Sequence, residues 1–573
     1  MITGQPDAES GGPQTSVAAA EGPAGKRRPA SRPLLRLRWA LLTAVVSGLL
    51  LAAAFAPAGA WPLAVVSPAL LVVALSGRTL RAAFALGLAF GLAFFFPLLA
   101  WVVNLAWFAW VALAIASALI FAVFVVAQRL LLNLRCWPLA VAGWWVAAEA
   151  FRDRWPWGGF PWGRLAMSQA GLPTQGWAAI GGPALLSFVV ALTGAMLAWL
   201  LLTVLAKPGP AEGAGPTKAA GGRLGRWRRP GIAAVAFAAT AGVSCLPALL
   251  PLDPVPANAK TAVVAAIQGN VPRARSLEAQ LDEEQVTLNH ASATEKLAAD
   301  VAAGKRPRPD LVVWPENATD IDPTQDAQIY QEIARAAGAV GRPVLVGAVL
   351  QYPERNAGVL WLPGKGPTSM YVKRRLVPFG EYIPFRSLIS KVTSLTQLQP
   401  QDFTPGHQTV IFGVGQIRLG DVICYEVAFD DLVRSEVTAG ANVLAVQSND
   451  ATFEREGPVT EESGQQLAMA RLRAVEFDRA VVYASTTGYS AIIAPNGQVI
   501  TRSGLWQQAE LEARVPLLTG STLASRLGAW PEWAIVAGAA LALALAAGQA
   551  VAARRRERGP RSADRRPDIA EGL

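Results

Sequence analysis

The side chains best suited to covalent chemistry in this chain are few and far apart. Cys424 lies in GDVICYEVAFD, where an apolar strand-like run meets Tyr425 and Glu426. A free cysteine there is either a small buried hydrophobe or a nucleophile. The second role needs a nearby cation to lower the thiol pKa or a base to take its proton. Histidine, the usual base, is scarce: His290 sits in a helical stretch and His407 in the loop PGHQ. A carboxylate and a lysine are the available substitutes. Glu316 follows the strand-like DLVVW and Pro315. Proline ends ladder pairing, so the acid stands at the carboxyl edge of a sheet, unless it is only an exposed loop acid. Lys373 opens the basic run of YVKRRLVPFGEYIPF. Such a run, taken alone, reads as solvated surface or as a patch that attracts lipid headgroups. Pro378 and Pro384 stiffen the segment after the basic run and would hold Lys373 and Glu381 in fixed positions.

The other two cysteines, Cys136 and Cys245, lie in apolar runs with no CxxC spacing, so neither a disulfide framework nor a zinc site is indicated. No metal and no other cofactor is expected.

The elements that must position these groups fall into two kinds. Residues 252–531 read as a soluble α/β domain. Its β-branched runs TAVVAAI, DLVVW, PVLVGAVL, TVIFGV, ANVLAVQ, AVVYAST and SAIIAP alternate with helical stretches at Leu277 to Ala303 and Glu461 to Arg479. The rest points to a bilayer, because the 573 residues are 52% hydrophobic and only 16% charged. Apolar segments near 39–58, 61–77, 82–101, 105–127, 136–151, 183–206 and 231–251, and an eighth from Trp533, approach the roughly 20 residues a spanning helix needs.

Lys and Arg cluster before the first segment and in alternate loops, at Arg78 and Arg81, at Arg129 and Arg135, and from Lys207 to Arg229. Positive loops stay cytoplasmic, which puts both termini inside and residues 252–531 outside. The expected order is a disordered cytoplasmic arm (1–35), seven transmembrane helices (36–251), an extracytoplasmic domain (252–531), an eighth helix (532–552) and a basic tail (553–573). The net charge of +10 therefore reflects topology rather than nucleic-acid binding. Transport is disfavoured, since Glu149 is the main acid inside the apolar segments.

Taken together, VVWPE, YVKRRLVPFGEY and VICYE resemble the Glu-Lys-Cys triad of the nitrilase (carbon-nitrogen hydrolase) superfamily. With several spans before the domain and one after it, the chain resembles the apolipoprotein N-acyltransferase family from its first span to its last. The resemblance implies a polytopic α-helical membrane bundle of about eight spans bearing a nitrilase-like α-β-β-α sandwich. It makes Cys424 the nucleophile, Glu316 the general base and Lys373 the cation beside the oxyanion. Glu381 would orient Lys373 or relay a proton, and Tyr425 and Glu426 would shape the nucleophile's pocket. Gln268, Asn270, Asn356, Ser448 and Asn449 also fall on family patterns, or else serve strand ends and turns.

The implied reaction moves an acyl chain from a phospholipid, through a Cys424 thioester, to the N-terminal amine of a lipoprotein's diacylglyceryl-cysteine in the cell membrane. A loop from Ser387 to Gln399 is a candidate cover for the site. A polyprenol-phosphate mannose synthase is a further partner the resemblance suggests. The chain departs from the family after QSND, where ATFE replaces an aromatic-rich run, and after QGN, where VPRAR stands. Two other readings stay open: a membrane-anchored nitrilase-type amidohydrolase with the same triad, and a non-enzymatic membrane scaffold for a polyprenol-linked glycosyltransferase.

Overall fold

The computed structural model describes residues 33–205, 219–249, 255–271, 283–391, 401–453 and 462–557, except the side chains of 219–229 and 556–557. Most of the N-terminal arm, the tail from 558, the start of the helix expected from Leu277 and the candidate cover from 392 to 399 lie outside the described residues.

A helix forms at each of the eight apolar segments: α1 (Leu37–Ala53), α2 (Leu63–Leu75), α3 (Leu80–Leu98), α4 (Trp107–Leu131), α5 (Trp137–Arg152), α6 (Trp177–Leu205), α7 (Ala219–Cys245) and, after the domain, α14 (Trp530–Glu557). Five of them, α3, α4, α6, α7 and α14, are long and apolar enough to cross a membrane. In α6 the helix starts before the expected residue 183, because it continues through a break at Gly181 and Gly182, where Gly182 has φ of 71° and Pro183 follows. Likewise α14 begins at Trp530 and carries Arg554 to Arg556 in its last turns, so part of the expected tail is helical.

Between α7 and α14 lie two six-stranded sheets. The first has the order β12-β1-β2-β3-β4-β5, formed by β1 (Thr261–Gln268), β2 (Leu311–Val313), β3 (Val344–Leu350), β4 (Arg355–Leu362), β5 (Gly366–Val372) and β12 (Ala509–Pro516). The second has the order β11-β10-β9-β8-β7-β6, formed by β6 (Ile411–Val414), β7 (Ile417–Ile423), β8 (Val443–Ser448), β9 (Ala480–Ser485), β10 (Ala491–Ile493) and β11 (Val499–Arg502). Each sheet has three parallel central strands, β1-β2-β3 and β7-β8-β9, flanked by antiparallel ones. Such strands are buried on both faces, which is why they read as unbroken apolar runs. Thr261 pairs with Pro516, so the chain enters and leaves the domain side by side and returns directly to the last apolar helix.

The layers follow from where the apolar faces go. Side chains of both sheets, among them Val264, Val313, Leu419, Ile423 and Val482, share one core. Helices α8 (Glu283–Ala302) and α9 (Ala327–Val340) cover the outer face of the first sheet. On the second sheet, α11 (Asp430–Thr438) and α12 (Glu462–Phe477) pack on the strands and on the turn after β7, and α12 also meets α6; the short helices α10 (Arg386–Ile389) and α13 (Leu523–Leu527) lie in the connections before β6 and before α14. A single apolar cluster runs from Phe90 and Trp145 of the bundle to Leu472 and Tyr483 of the domain. The turn that carries the nucleophile candidate touches the helical half directly, Tyr425 stacking on Phe160.

Candidate active site

The acid and the lysine come from the first sheet. Glu316 stands just beyond β2, where β3 approaches so closely that a Cβ on Gly347 would fall 2.1 Å from the Pro315 carbonyl oxygen. Lys373 directly follows β5 and is 1% exposed. Its Nζ donates to Glu316 Oε1 at 2.8 Å and to Glu381 Oε1 at 2.9 Å. Asn356, on the neighbouring β4, donates Nδ2 to the same two oxygens at 2.7 and 2.9 Å. The remaining oxygens accept backbone N–H groups, Glu316 Oε2 from Asn449 and Glu381 Oε2 from Val377. Burial alone would lower the Lys373 pKa, but the Glu316 and Glu381 carboxylates outweigh it and hold the ammonium charged well above its ordinary value.

The thiol comes from the second sheet. Cys424 follows β7 and opens a short 3-10 turn, Cys424–Ala428, with φ of 53°. A non-glycine residue there carries strain of order 1–3 kcal/mol, which persists only where neighbours fix it. Glu426 is one such neighbour. Fully buried, it accepts N–H groups of Ile423, Arg374 and Arg375 and the hydroxyl of Tyr371, tying the end of β5 to the turn. The sulfur itself has two weak contacts, Gln466 Nε2 at 3.6 Å and Ser448 Oγ at 3.7 Å. Burial pushes the thiol well above its ordinary pKa; the Glu316 carboxylate adds to the rise and Lys373 opposes it. The Cys424 thiol is therefore protonated at neutral pH.

The partners of the other expected residues specify what each one does. Tyr425 turns toward the bundle, donating to Gly159 O at 2.7 Å and stacking on Phe160, while Glu426 braces the turn from within. Of the basic run, even Arg375 is only half-exposed: Lys373 is buried, Arg374 pairs with the buried Glu436 at 2.7 Å, and Arg375 meets Asp431 at 3.1 Å. The run is a set of specific ion pairs rather than a free patch. Gln268 and Asn270 serve a strand end, Gln268 bonding Ser490, Ser503, Gly504 and Gln507, and Asn270 bonding Thr486 and Trp506. Phe453, from the departing ATFE run, stacks edge-on against Trp101 of the helical half. His290 is buried against the Val286 carbonyl, with a pKa pulled down to about 4 by burial.

Sequence reasoning missed Gln466. It also accepts from Ser448 Oγ at 2.6 Å and from Tyr483, forming the polar floor beneath the sulfur. The paired glutamines in an otherwise buried helix, Gln465 and Gln466, were the available signal.

Comparison with known proteins accounts for both halves. Residues 47–196 match the family described as the apolipoprotein N-acyltransferase N-terminal domain, and residues 263–524 match the carbon-nitrogen hydrolase family. An apolipoprotein N-acyltransferase of Mycolicibacterium smegmatis is 36% identical over 452 residues, covering 75% of this chain and 72% of the relative. That of Azotobacter vinelandii is 33% identical over 429 residues, covering 73% and 74%, and that of Pseudomonas putida is 32% identical over 419 residues, covering 72% and 74%. The helical half and the two-sheet domain match together, over most of the length of these relatives, and the chain belongs to the apolipoprotein N-acyltransferase family.

Proposed function

We propose that this membrane protein transfers an acyl chain from a phospholipid to the N-terminal amine of a lipoprotein's diacylglyceryl-cysteine, with Cys424 as the acyl carrier. The observation that carries the reading is Lys373 buried between Glu316 and Glu381, with Glu316 reaching across to the N–H of Asn449, next to the Ser448 that contacts the Cys424 sulfur on the facing sheet. Family membership supplies the substrates.

In the first half-reaction Glu316 takes the Cys424 proton as the sulfur attacks the ester carbonyl. The oxyanion of the tetrahedral intermediate develops beside Lys373, whose charge is fixed before reaction and costs no reorganisation. Collapse breaks the ester C–O bond, and the departing lysophospholipid oxygen receives the proton from Glu316. A thioester remains on Cys424. In the second half the lipoprotein amine attacks it, Glu316 accepts the amine's proton, the C–S bond breaks and the thiol is reprotonated. Glu381 and Asn356 hold the lysine and base in register throughout, and Glu426 and Tyr425 hold the turn.

Access from the lipid is supported by the loop after Lys373. Phe379, Phe385 and Leu388 are largely exposed there, and Phe379 and Phe385 pack edge-on against Trp157 of the helical half. Beside them a cleft of about 360 Å³ is lined by Trp157, Arg375, Tyr382, Phe403, Tyr425 and Phe429. Exposed aromatics of this kind favour a membrane interface. The alternating Arg-rich loops support a multi-pass chain with the two-sheet domain on the extracytoplasmic face. A polyprenol-phosphate mannose synthase is a further partner, testable by co-purification.

Intact-mass analysis after exposure to phospholipid tests the reading. An adduct of one acyl group on Cys424, discharged by a diacylated lipopeptide amine, is expected. A reactive Cys424 that never acquires an acyl group would end it.

A further inference from the structure

Helix α12 is held by both halves of the molecule. Gln466 reaches the Cys424 sulfur, and Gln465, one residue earlier, reaches the bundle. Gln465 accepts from Trp162 Nε1 at 2.6 Å and donates to Leu98 O at 3.1 Å and Ala56 O at 3.3 Å, joining three separate segments of the helical half.

Two turns on, Arg473 is 1% exposed. It donates Nε to Val427 O at 2.8 Å and Nη2 to Ala428 O at 2.9 Å, the last two residues of the nucleophile turn. The same guanidinium pairs with Glu476 at 2.5 Å and with Asp430 Oδ1 at 2.7 Å. Asp430 is shared with the other half of the molecule. Arg164, 3% exposed in the connection between α5 and α6, sets Nη1 at 2.9 and 3.0 Å from its two oxygens, and its Nε lies 3.4 Å from Asp153.

We propose that Arg473 is a positioning residue for the nucleophile turn, and that the Arg164–Asp430 pair makes its position depend on docking of the two-sheet domain against the helical bundle. The turn carries a strained Cys424, so it must be fixed from more than one side. Glu426 fixes it from within through N–H groups, and Arg473 fixes it from behind through carbonyls. Asp430 divides its charge between two guanidiniums. Without Arg164 the whole charge of Asp430 draws Arg473 away from the Val427 and Ala428 carbonyls. Burial would raise the Asp430 pKa, but Arg164 and Arg473 hold it below the ordinary carboxylate range, so the link stays charged at neutral pH. The consequence is an enzyme whose thiol is correctly aimed only when the domain sits on its membrane half. This rests on the reading of Cys424 as the nucleophile.

The test uses the full chain in phospholipid nanodiscs, with Arg164→Gln, Arg164→Lys and Arg473→Lys compared to the parent. The maximal rate of acyl-Cys424 formation, the KM for phospholipid and the pH profile of Cys424 alkylation by iodoacetamide are measured. Misaiming a reactive atom by an ångström costs up to roughly 100-fold. Arg164→Gln should therefore slow acylation roughly 10- to 100-fold with KM nearly unchanged, and shift the alkylation profile, while Arg164→Lys recovers much of the rate. A folded Arg164→Gln protein with the parental rate and profile would overturn the proposal, as would a loss confined to KM. If Arg473→Lys does not fold, the two Arg164 variants still decide. If the parent alkylates but never acylates, the acyl-transfer reading fails, and the alkylation profiles alone still test the link.

Discussion

On the first sheet every charge at the site is answered. Lys373, Glu316, Glu381 and Asn356 exchange four hydrogen bonds of 2.7 to 2.9 Å, and the outer carboxylate oxygens take backbone N–H groups. On the second sheet Cys424 has a strained backbone, two long sulfur contacts and a pKa pushed upward by burial. One side of the site is a finished electrostatic assembly, and the other holds a reactive atom in its neutral form. The contrast teaches how the work is divided. In the proposed reaction, charge is preorganised where it will be needed, and the thiolate appears only when Glu316 takes the proton. A permanently ionised thiol beside a lipid surface would be open to oxidation between turnovers.

The largest effect should come from the strained side. Cys424→Ser keeps the shape of the turn and removes the sulfur, so acyl transfer to a diacylated lipopeptide and the phospholipid-derived adduct should both disappear. Transfer at the parental rate by this variant would move the nucleophile elsewhere and dissolve the comparison.

Glu316→Gln is next and separates the two roles of one carboxylate. As a base it should be worth roughly 10²–10⁴ in transfer rate. As a fixed negative charge it opposes ionisation of Cys424, so its removal should move the alkylation profile of the thiol to lower pH. Slower transfer with easier alkylation is the expected pair of results. An unmoved alkylation profile would show that the two sheets do not communicate through Glu316.

Lys373→Met should cost roughly 10²–10³ in rate as an oxyanion partner is lost. It also strands Glu316 and Glu381 in a buried place without their cation. Breaking such a pair costs about 3–5 kcal/mol, which thermal melts would register. A variant as stable as the parent would mean that Asn356 and the backbone N–H groups suffice for the carboxylates.

How much of this was legible in the sequence divides along similar lines. Glu316 was legible because a strand, a proline and an acid in succession define a sheet edge, and the eight apolar helices were legible because long apolar runs permit little else. The β4–β5 hairpin went unread: Asn356 and Gly358 interrupt its first strand, and Pro367, Thr368 and Ser369 its second. The ion pairs were invisible for a different reason. Arg374 meets Glu436 across 62 positions and Arg164 meets Asp430 across 266, and neither distance leaves a local pattern. A basic run without its acids in view reads as surface. Tyr425 was recognisable beside the nucleophile, but its partner Gly159 is equally remote, so its direction was not.

The smallest effect tests the protonation state of Cys424 without any substrate. Its thiol pKa is raised in the folded protein, so the neutral form is the one folding favours. The associated stability is complete below the ordinary thiol value of about 8.5 and is lost as pH rises toward the folded value, because the unfolded chain has then released a proton that the folded one retains. Cys424→Ala has no such proton. The melting midpoints of parent and variant should keep a constant offset from pH 6.5 to 8, and the parent should lose ground above that, by about 1.4 kcal/mol for one pH unit beyond the ordinary value. In Glu316→Gln, where one cause of the raised pKa is gone, the same drift should level off at a lower pH. A parent that instead gains stability on Cys424→Ala as pH rises would hold a thiolate at rest, and the site would then be charged on both sheets.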